Sequence, residues 1–483
     1  MKPDRIFLSE NIEISRILTG LWQVADQEKG GSQVDVSQAA SALVDYAEAG
    51  FDTFDMADHY GSAEIIAGHA LKTASGAKAF TKWCPKPGPM TADIVRAGVE
   101  DRLRRLDVDQ IDLLQLHWWN FEHPAWLDAL GELKTLQQEG LINALAVTNF
   151  DSAHLEIALE EGIPLVSNQV SFSLLDRRPT GRMSELCAAW GVKLLTYGTL
   201  CGGFIADRWL GRPEPTETSD LAGMKYRRFI DAAGGWNAFQ NVLQAAHNVA
   251  EKHGVSVSNV ATRWVLDHPH VAGVIVGARL GENVHRSDNA KVFSFELDDE
   301  DRAMLDQPLQ ATTDLPGDCG DEYRRPPFLT PSGDLSQILA DTPSVLTVKT
   351  DERGRRRAFS GSKWEPIAGF CRGVREDDRI LIAGTTATHG FDHNIAPNNA
   401  RAQATYILDK IAATMTALGG SMSDIVRTRT YVTSEKDVEG ACQAHGKVFS
   451  EFPPVNTTFM VDSLVGDFCV EIEAEAIIRG TDQ

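Results

Sequence analysis

Eight times between Leu18 and Val276 the sequence passes from a short apolar or β-branched run into a 3.6-period amphipathic stretch and back. Strands that alternate with helices imply a parallel sheet with its helices outside. The eight runs are Leu18 to Gln23, Phe51 to Met56, Ala79 to Cys84, Ile111 to His117, Asn143 to Thr148, Leu165 to Ser171, Lys193 to Gly198 and Ala272 to Val276. Between them lie stripes such as Ile94, Val95, Val99, Leu103 and Leu106. An open dinucleotide-binding sheet would carry Gly-x-Gly-x-x-Gly after its first strand, and no such turn follows Gln23. The expectation is therefore an α/β fold, a closed (β/α)8 TIM barrel. Ile6 to Ile17 reads as a hairpin that plugs its lower end.

Chemistry on a barrel of this kind is done at the C-terminal ends of the strands. Asp55, Tyr60, Lys82 and His117 fall at or just past those ends on three successive strands. Reducing a carbonyl needs a proton donor at the developing alkoxide oxygen. A phenol is a reluctant acid at neutral pH unless a cation favours its anion, a role open to Lys82; a buried ammonium in turn needs a carboxylate, a role open to Asp55. His117 could orient the carbonyl. Each residue alone is more often structural, but the four together are not. Asp58 reads as a rival carboxylate in the loop or on the substrate side, and His59 as ordinary surface.

The flanking segments, Phe-Asp-Met-Ala-Asp-His-Tyr-Gly at 54–61, Phe-Thr-Lys at 80–82 and Asp-Leu-Leu-Gln-Leu-His at 112–117, resemble the aldo-keto reductase family. The resemblance implies Tyr60 as acid, Asp55 and Lys82 as its tuning pair, His117 as orienter, and a nicotinamide cofactor. It places Thr148, Asn149 and Gln169 at the carboxamide and Tyr197 under the ring, where aromatic faces offset-stack. Gly198, Thr199, Leu200 and Gly202 would lend backbone amides to the pyrophosphate. Arg279 is the candidate for the adenosine 2′-phosphate, which favours NADP(H) and leaves NAD(H) open. Asp288 and Asn289 match the pair near the adenine. Gly277 stands where a lysine is common, and Thr148 where a serine is. Gly202 to Trp236 reads as a substrate lid, and Trp22, Trp83, Trp118 and Trp119 as rim residues.

After a last helix pattern at Asp298 to Asp306, residues 307–352 are rich in Pro, Gly and Asp. Barrel and tail are assigned to 1–340, a linker to 341–353 and a second domain to 354–483. That domain reads as strand Arg379 to Thr386, helix Asn399 to Leu418, strand Asp424 to Thr433, helix Asp437 to Phe452, and strands Thr457 to Leu464 and Phe468 to Ile478: a small α+β unit. Ile-Leu-Ile-Ala-Gly-Thr-Thr at 380–386, Val-Arg-Thr-Arg-Thr-Tyr-Val-Thr at 426–433 and Val-Glu-Ile-Glu-Ala-Glu-Ala at 470–476 resemble the RidA (YjgF) family, with its chorismate-mutase-like fold. The resemblance implies a trimer, with imine or enamine hydrolysis in some members. Asn456 stands where active members have an arginine. Arg427, Arg429, Asn456 and Glu473 are the candidates for a polar cleft, and the run Arg353, Arg355, Arg356 and Arg357 reads as a solvated linker edge.

A formal charge of −22 argues against nucleic acid or an anionic membrane as partner. Seven scattered cysteines without a CxxC pair read as reduced thiols, no metal site is expected, and the chain reads as cytoplasmic. The expected activity is NADP-dependent reduction of a small aldehyde or ketone by a homo-oligomer, trimeric through its C-terminal domain. The alternative is a non-catalytic NADP(H)-binding redox sensor or scaffold, with the C-terminal domain as a ligand-binding or oligomerisation module.

Overall fold

A computed structural model describes residues 2–24, 34–217, 221–280, 285–324 and 342–478. A hairpin, β1 (Arg5–Ser9) and β2 (Ile12–Ser15), opens the chain. Eight parallel strands then follow: β3 (Ile17–Gly20), β4 (Thr53–Asp55), β5 (Lys78–Trp83), β6 (Ile111–His117), β7 (Ile142–Thr148), β8 (Leu165–Ser171), β9 (Lys193–Tyr197) and β10 (Val271–Gly277). They close in the order β10-β3-β4-β5-β6-β7-β8-β9. The hairpin is the expected plug: its Leu8, Ile12 and Ile14 are buried with Leu18, Phe80, Leu113 and Leu195 in the barrel interior.

The first two barrel strands are shorter than the apolar runs suggest. Trp22–Val24 is a 3-10 turn, because the chain leaves the sheet after Gly20. A Cβ on Gly20 would lie 2.7 Å from Ile275 Cγ2, so β3 and β10 approach too closely for any side chain there. The last helix of the barrel half runs Asp299–Gln310, with Asp298 in a capping box.

The C-terminal sheet contains β11 (Thr347–Thr350), β12 (Arg356–Phe359), β13 (Gly373–Glu376), β14 (Arg379–Thr386), β17 (Ile425–Val432), β18 (Val455–Met460) and β19 (Val470–Ile477), with a small hairpin of β15 (Thr388–His389) and β16 (His393–Asn394) beside it. Their order is β11-β12-β13-β14-β19-β17-β18, and the helices Ala400–Leu418 and Glu435–Phe449 cover one face. Two readings need correction. Part of the expected linker, Thr347–Thr350, is the edge strand of this sheet, while residue 341 lies outside the described residues, as do 325–340 before it. The arginine run is only partly solvated: Arg353 is exposed, but Arg356 donates to the carbonyls of Ala417 and Leu418 at 2.8 and 3.1 Å and so caps the helix C-terminus, and Arg357 pairs with Asp351.

The two halves meet through opposite charges. The barrel side offers carboxylates, Asp128, Asp151, Glu156 and Glu161; the C-terminal side offers His389, Lys447, Arg401 and His393 to them. His154 sits between Asp151 (2.6 Å) and Asp409 of the second domain (2.8 Å), stacked on Phe121. Burial pushes its pKa down, but Asp151 and Asp409 outweigh that and raise it to about 9. A folded-state value above the unfolded one, about 6.5, stabilises fully below the latter and is lost as pH rises through the former. Thermal unfolding followed from pH 7 to 10 is therefore expected to show falling stability near pH 9, a slope that His154→Gln flattens.

Candidate active site

A cleft of about 1070 Å³ opens at the C-terminal mouth of the barrel. Asp55, Tyr60, Lys82 and His117 all line it, delivered by β4, the loop after it, β5 and β6. Lys82 Nζ donates to Asp55 Oδ2 at 2.8 Å and to the Met56 carbonyl at 2.9 Å, both side chains being almost wholly buried. Asp55 Oδ1 accepts from Gln169 Nε2 at 2.7 Å and from Gln115 Nε2 at 3.3 Å, so the carboxylate is fixed on both oxygens. Lys82 Nζ lies 5.3 Å from the centre of the Tyr60 ring.

One electrostatic expectation is overturned. Burial first, and then the Asp55 carboxylate, push the Tyr60 phenol well above its ordinary value instead of below it. The Lys82 ammonium is committed to Asp55, and its field at the phenol is largely cancelled. The phenol therefore holds its proton at neutral pH. His117 is buried too; desolvation, with Arg324, His59 and Lys82 adding to it, pushes its pKa far down, so the imidazole is neutral. Its Nε2 lies 3.3 Å from Asn149 Nδ2.

Thr148, Asn149, Gln169, Tyr197, Gly198, Thr199, Leu200, Gly202, Gly277, Arg279, Asp288 and Asn289 all line the same cleft. Gln169 does more than expected: its amide nitrogen serves Asp55 and Gln115 (3.0 Å), leaving its carbonyl to a ligand. In the loop after β9 the neighbouring amides of Cys201 and Gly203 bond back to the carbonyls of Gly198 and Leu200 at 2.8 Å each. Gly277 has a local reason, since a Cβ there would fall 1.9 Å from Gln23 Oε1.

Sequence reasoning missed several groups. Gln23 forms part of the wall, and His59 is no bystander: it lines the cleft with its ring near Trp22 and Trp119. Lys225 and Tyr226 come from the lid helix Leu221–Ala232, and Tyr323 from the tail. Lys225 Nζ donates to the Tyr323 hydroxyl at 2.8 Å; the Tyr197 hydroxyl lies 2.7 Å from Asn149 Oδ1 and 2.9 Å from Glu322 Oε1. The lid reading thus places helix residues over the mouth; residues 218–220 lie outside the described residues. Of the four tryptophans, Trp22 and Trp119 line the cleft, while Trp83 packs on Gly98 and Trp118 is core. Asp58 is architectural: it accepts from the Cys84 amide at 2.8 Å and pairs with His59 and Arg102.

The C-terminal candidates divide between the two faces of their sheet. Arg429 pairs with Glu473 at 2.6 Å and Arg427 with Glu475 at 3.6 Å on the uncovered face. Asn456 is instead in register with Thr428 and donates to its hydroxyl at 3.0 Å, on the side where His445 also meets Thr428. Within one chain the expected four-residue cleft does not form, because alternate residues of a strand face opposite ways.

The sequence profile of the Aldo/keto reductase family matches residues 16–309. The chain belongs to that family. A second profile, described as Endoribonuclease L-PSP and corresponding to RidA/YjgF, matches residues 361–478. The aldo-keto reductase YhdN of Bacillus subtilis is 27% identical over 65% of this chain and 96% of its own. The glycerol dehydrogenase of Gluconobacter oxydans has a similar structure, with a TM-score of 0.54 and 26% identity, covering 66% of this chain and 98% of its own. Flagellar radial spoke protein 5 of Chlamydomonas reinhardtii is 31% identical, but the match spans only 33% of this chain and 34% of that protein. Membership makes the barrel an oxidoreductase of the nicotinamide-using kind. The residues present fit such a cofactor: Gln23 Oε1 is buried without a partner among the described residues beside the bare Gly277, on the wall of the cleft. No helix among the described residues is long and apolar enough to cross a membrane.

Proposed function

We propose that the barrel reduces a small aldehyde or ketone to an alcohol with NADPH. The convergence of Tyr60 with the Asp55–Lys82 pair and His117 at one end of the cleft carries this reading. When bound, the dihydronicotinamide supplies a hydride. Tyr197 would support its ring, and Asn149 with the Gln169 carbonyl would hold its carboxamide. Neutral His117 orients the carbonyl oxygen toward Tyr60. The Tyr60 phenol gives its proton to that oxygen as negative charge develops there; an alkoxide is a much stronger base than a phenolate, so a raised phenol pKa does not prevent the transfer. Trp22, Trp119 and Tyr323 favour an apolar or flat substrate.

Exposed Arg279 at the cleft supports NADPH over NADH. Arg279→Ser is expected to weaken NADPH by about 1.5–3 kcal/mol, roughly 10- to 100-fold in Kd, and to leave NADH nearly unchanged. Fluorescence titration of both cofactors checks this; equal losses for the two would remove the assignment. Consumption of NADPH on adding a panel of aldehydes and ketones tests the activity itself. Tight binding without turnover would favour a redox sensor instead.

For the C-terminal domain, trimerisation is the favoured role. Its edge strand β18 is exposed throughout, and Val455, Phe459, Met460, Leu381 and Val426 present apolar surface around the uncovered sheet. Imine or enamine hydrolysis has less support, because Asn456 supplies no charge for a carboxylate. Sedimentation of the full chain tests the trimer, and ammonia release from small imines tests the hydrolysis.

A further inference from the structure

One side chain of the C-terminal domain reaches the segment that finishes the reductase mouth. Lys447, on the helix Glu435–Phe449, donates to Asp151 Oδ1 at 3.0 Å and to Asp318 Oδ2 at 2.9 Å. Both carboxylates belong to the barrel half, and both lead directly to the cleft. Asp151 lies two residues past Asn149 and caps the helix Ser152–Glu160. Asp318 begins the tail stretch that carries Glu322 and Tyr323.

From Asp318 onward the contacts run without a break into the site. The Asp318 amide donates to Asp321 Oδ2 at 2.7 Å, and Arg178 joins the Asp318 carbonyl (2.9 Å) to Glu322 Oε2 (2.9 Å). Gly320 has φ +81°, and a Cβ on it would lie 2.1 Å from the Asn149 carbonyl, so the tail is pressed onto the end of β7 where no side chain fits. Arg324 then donates to the carbonyls of Asn149 and Trp118, at 2.6 Å each. Beyond these clamps, Glu322 meets Tyr197 and Tyr323 meets Lys225.

We propose that Lys447 is a positioning residue: by tying Asp318 to Asp151 it lets the C-terminal domain hold Glu322 and Tyr323 against Tyr197 and Lys225, and so sets how tightly the mouth binds its nicotinamide cofactor. The cofactor half of this proposal rests on the function given above. The physical cause is charge. Without the ammonium, Asp151 keeps His154 as its cation, but among the described residues Asp318 keeps only the Ser152 amide and hydroxyl and the Cys319 amide, so its charge is left uncompensated at a partly desolvated interface and is relieved when the tail lifts. Other contacts between the halves provide a control. Arg401 grips Glu156 at 2.8 Å on the outer helix and makes no hydrogen bond or ion pair with residues 318–324, so its loss is expected to weaken docking alone.

The test uses the full chain and the variants Lys447→Met, Lys447→Arg and Arg401→Met. Amide hydrogen exchange over residues 318–324 is measured without cofactor, and the Kd for NADPH by fluorescence. Lys447→Met is expected to speed exchange in the tail and raise the Kd about tenfold. Lys447→Arg should restore both, Arg401→Met should change neither, and kcat at saturating NADPH should move less than the Kd. Linkage is reciprocal, so NADPH should also slow exchange in the helix that carries Lys447. Unchanged tail exchange in Lys447→Met, or equal effects from Arg401→Met, would overturn the proposal. If the parent chain binds no NADPH, the cofactor half falls with the functional reading, and tail exchange alone decides whether Lys447 positions the segment.

Discussion

Tyr60→Phe is expected to lower kcat by about 10²- to 10⁴-fold while leaving the Kd for NADPH within a factor of about two. The phenol lines the cleft beside the Asp55–Lys82 pair, with Lys82 Nζ 5.3 Å from its ring centre, and its ring stays packed against Trp22 and His59 when only the hydroxyl is removed. A loss confined to kcat identifies an interaction made as charge develops on oxygen, whereas a parallel rise in KM would mean that Tyr60 merely shapes the pocket. Because burial and Asp55 hold the phenol above its ordinary value, the parent rate should stay level across neutral pH and decline only in alkali. A decline near pH 7 would show that another group supplies the proton.

Lys82→Met is expected to cost about 3–5 kcal/mol of stability as well as most of the activity. The lysine and aspartate side chains are 3% and 5% exposed, so removing the ammonium strands a carboxylate inside the barrel. Gln169 and Gln115 still donate to Asp55, which soften the loss without replacing a charge. Denaturant unfolding measures it: a shift in midpoint at constant slope reports stability alone. The double variant Lys82→Met, Asp55→Leu should recover much of the stability and none of the activity, because an apolar pair leaves nothing buried and unpaired. If the single variant unfolds like the parent, the pair is not the desolvated one described above.

Much of the barrel was legible because alternation of strand and helix is a long-range pattern that no single residue controls. Ile111–His117 and Leu165–Ser171 fall where their apolar runs begin and end. β3 ends early for a reason absent from hydrophobicity: Gly20 permits a close approach to Ile275 and the chain then turns away. The four candidates could be placed around one mouth because strand ends can be located from pattern alone. Glu322 and Tyr323 were missed because they belong to a Pro-, Gly- and Asp-rich stretch that reads only as a tail, and the tertiary fold alone brings it back across β7. The polarity of Tyr60 was misjudged for a related cause. Sequence pairs Lys82 with Asp55 and sets both near the phenol, but it does not show how deeply the phenol is buried, and burial is the largest cause of its raised value. Likewise, Asn456 shares its strand neighbourhood with Arg429 but not its side of the sheet, a distinction that depends on register.

The hairpin of β1 and β2 has a kinetic consequence for everything at the opposite end. With Leu8, Ile12 and Ile14 stoppering the lower end, the described residues leave the upper mouth open, and under the proposed function both reaction partners would share it. Under the proposed function, product-inhibition patterns should then show whether one guest has to leave before the other can enter.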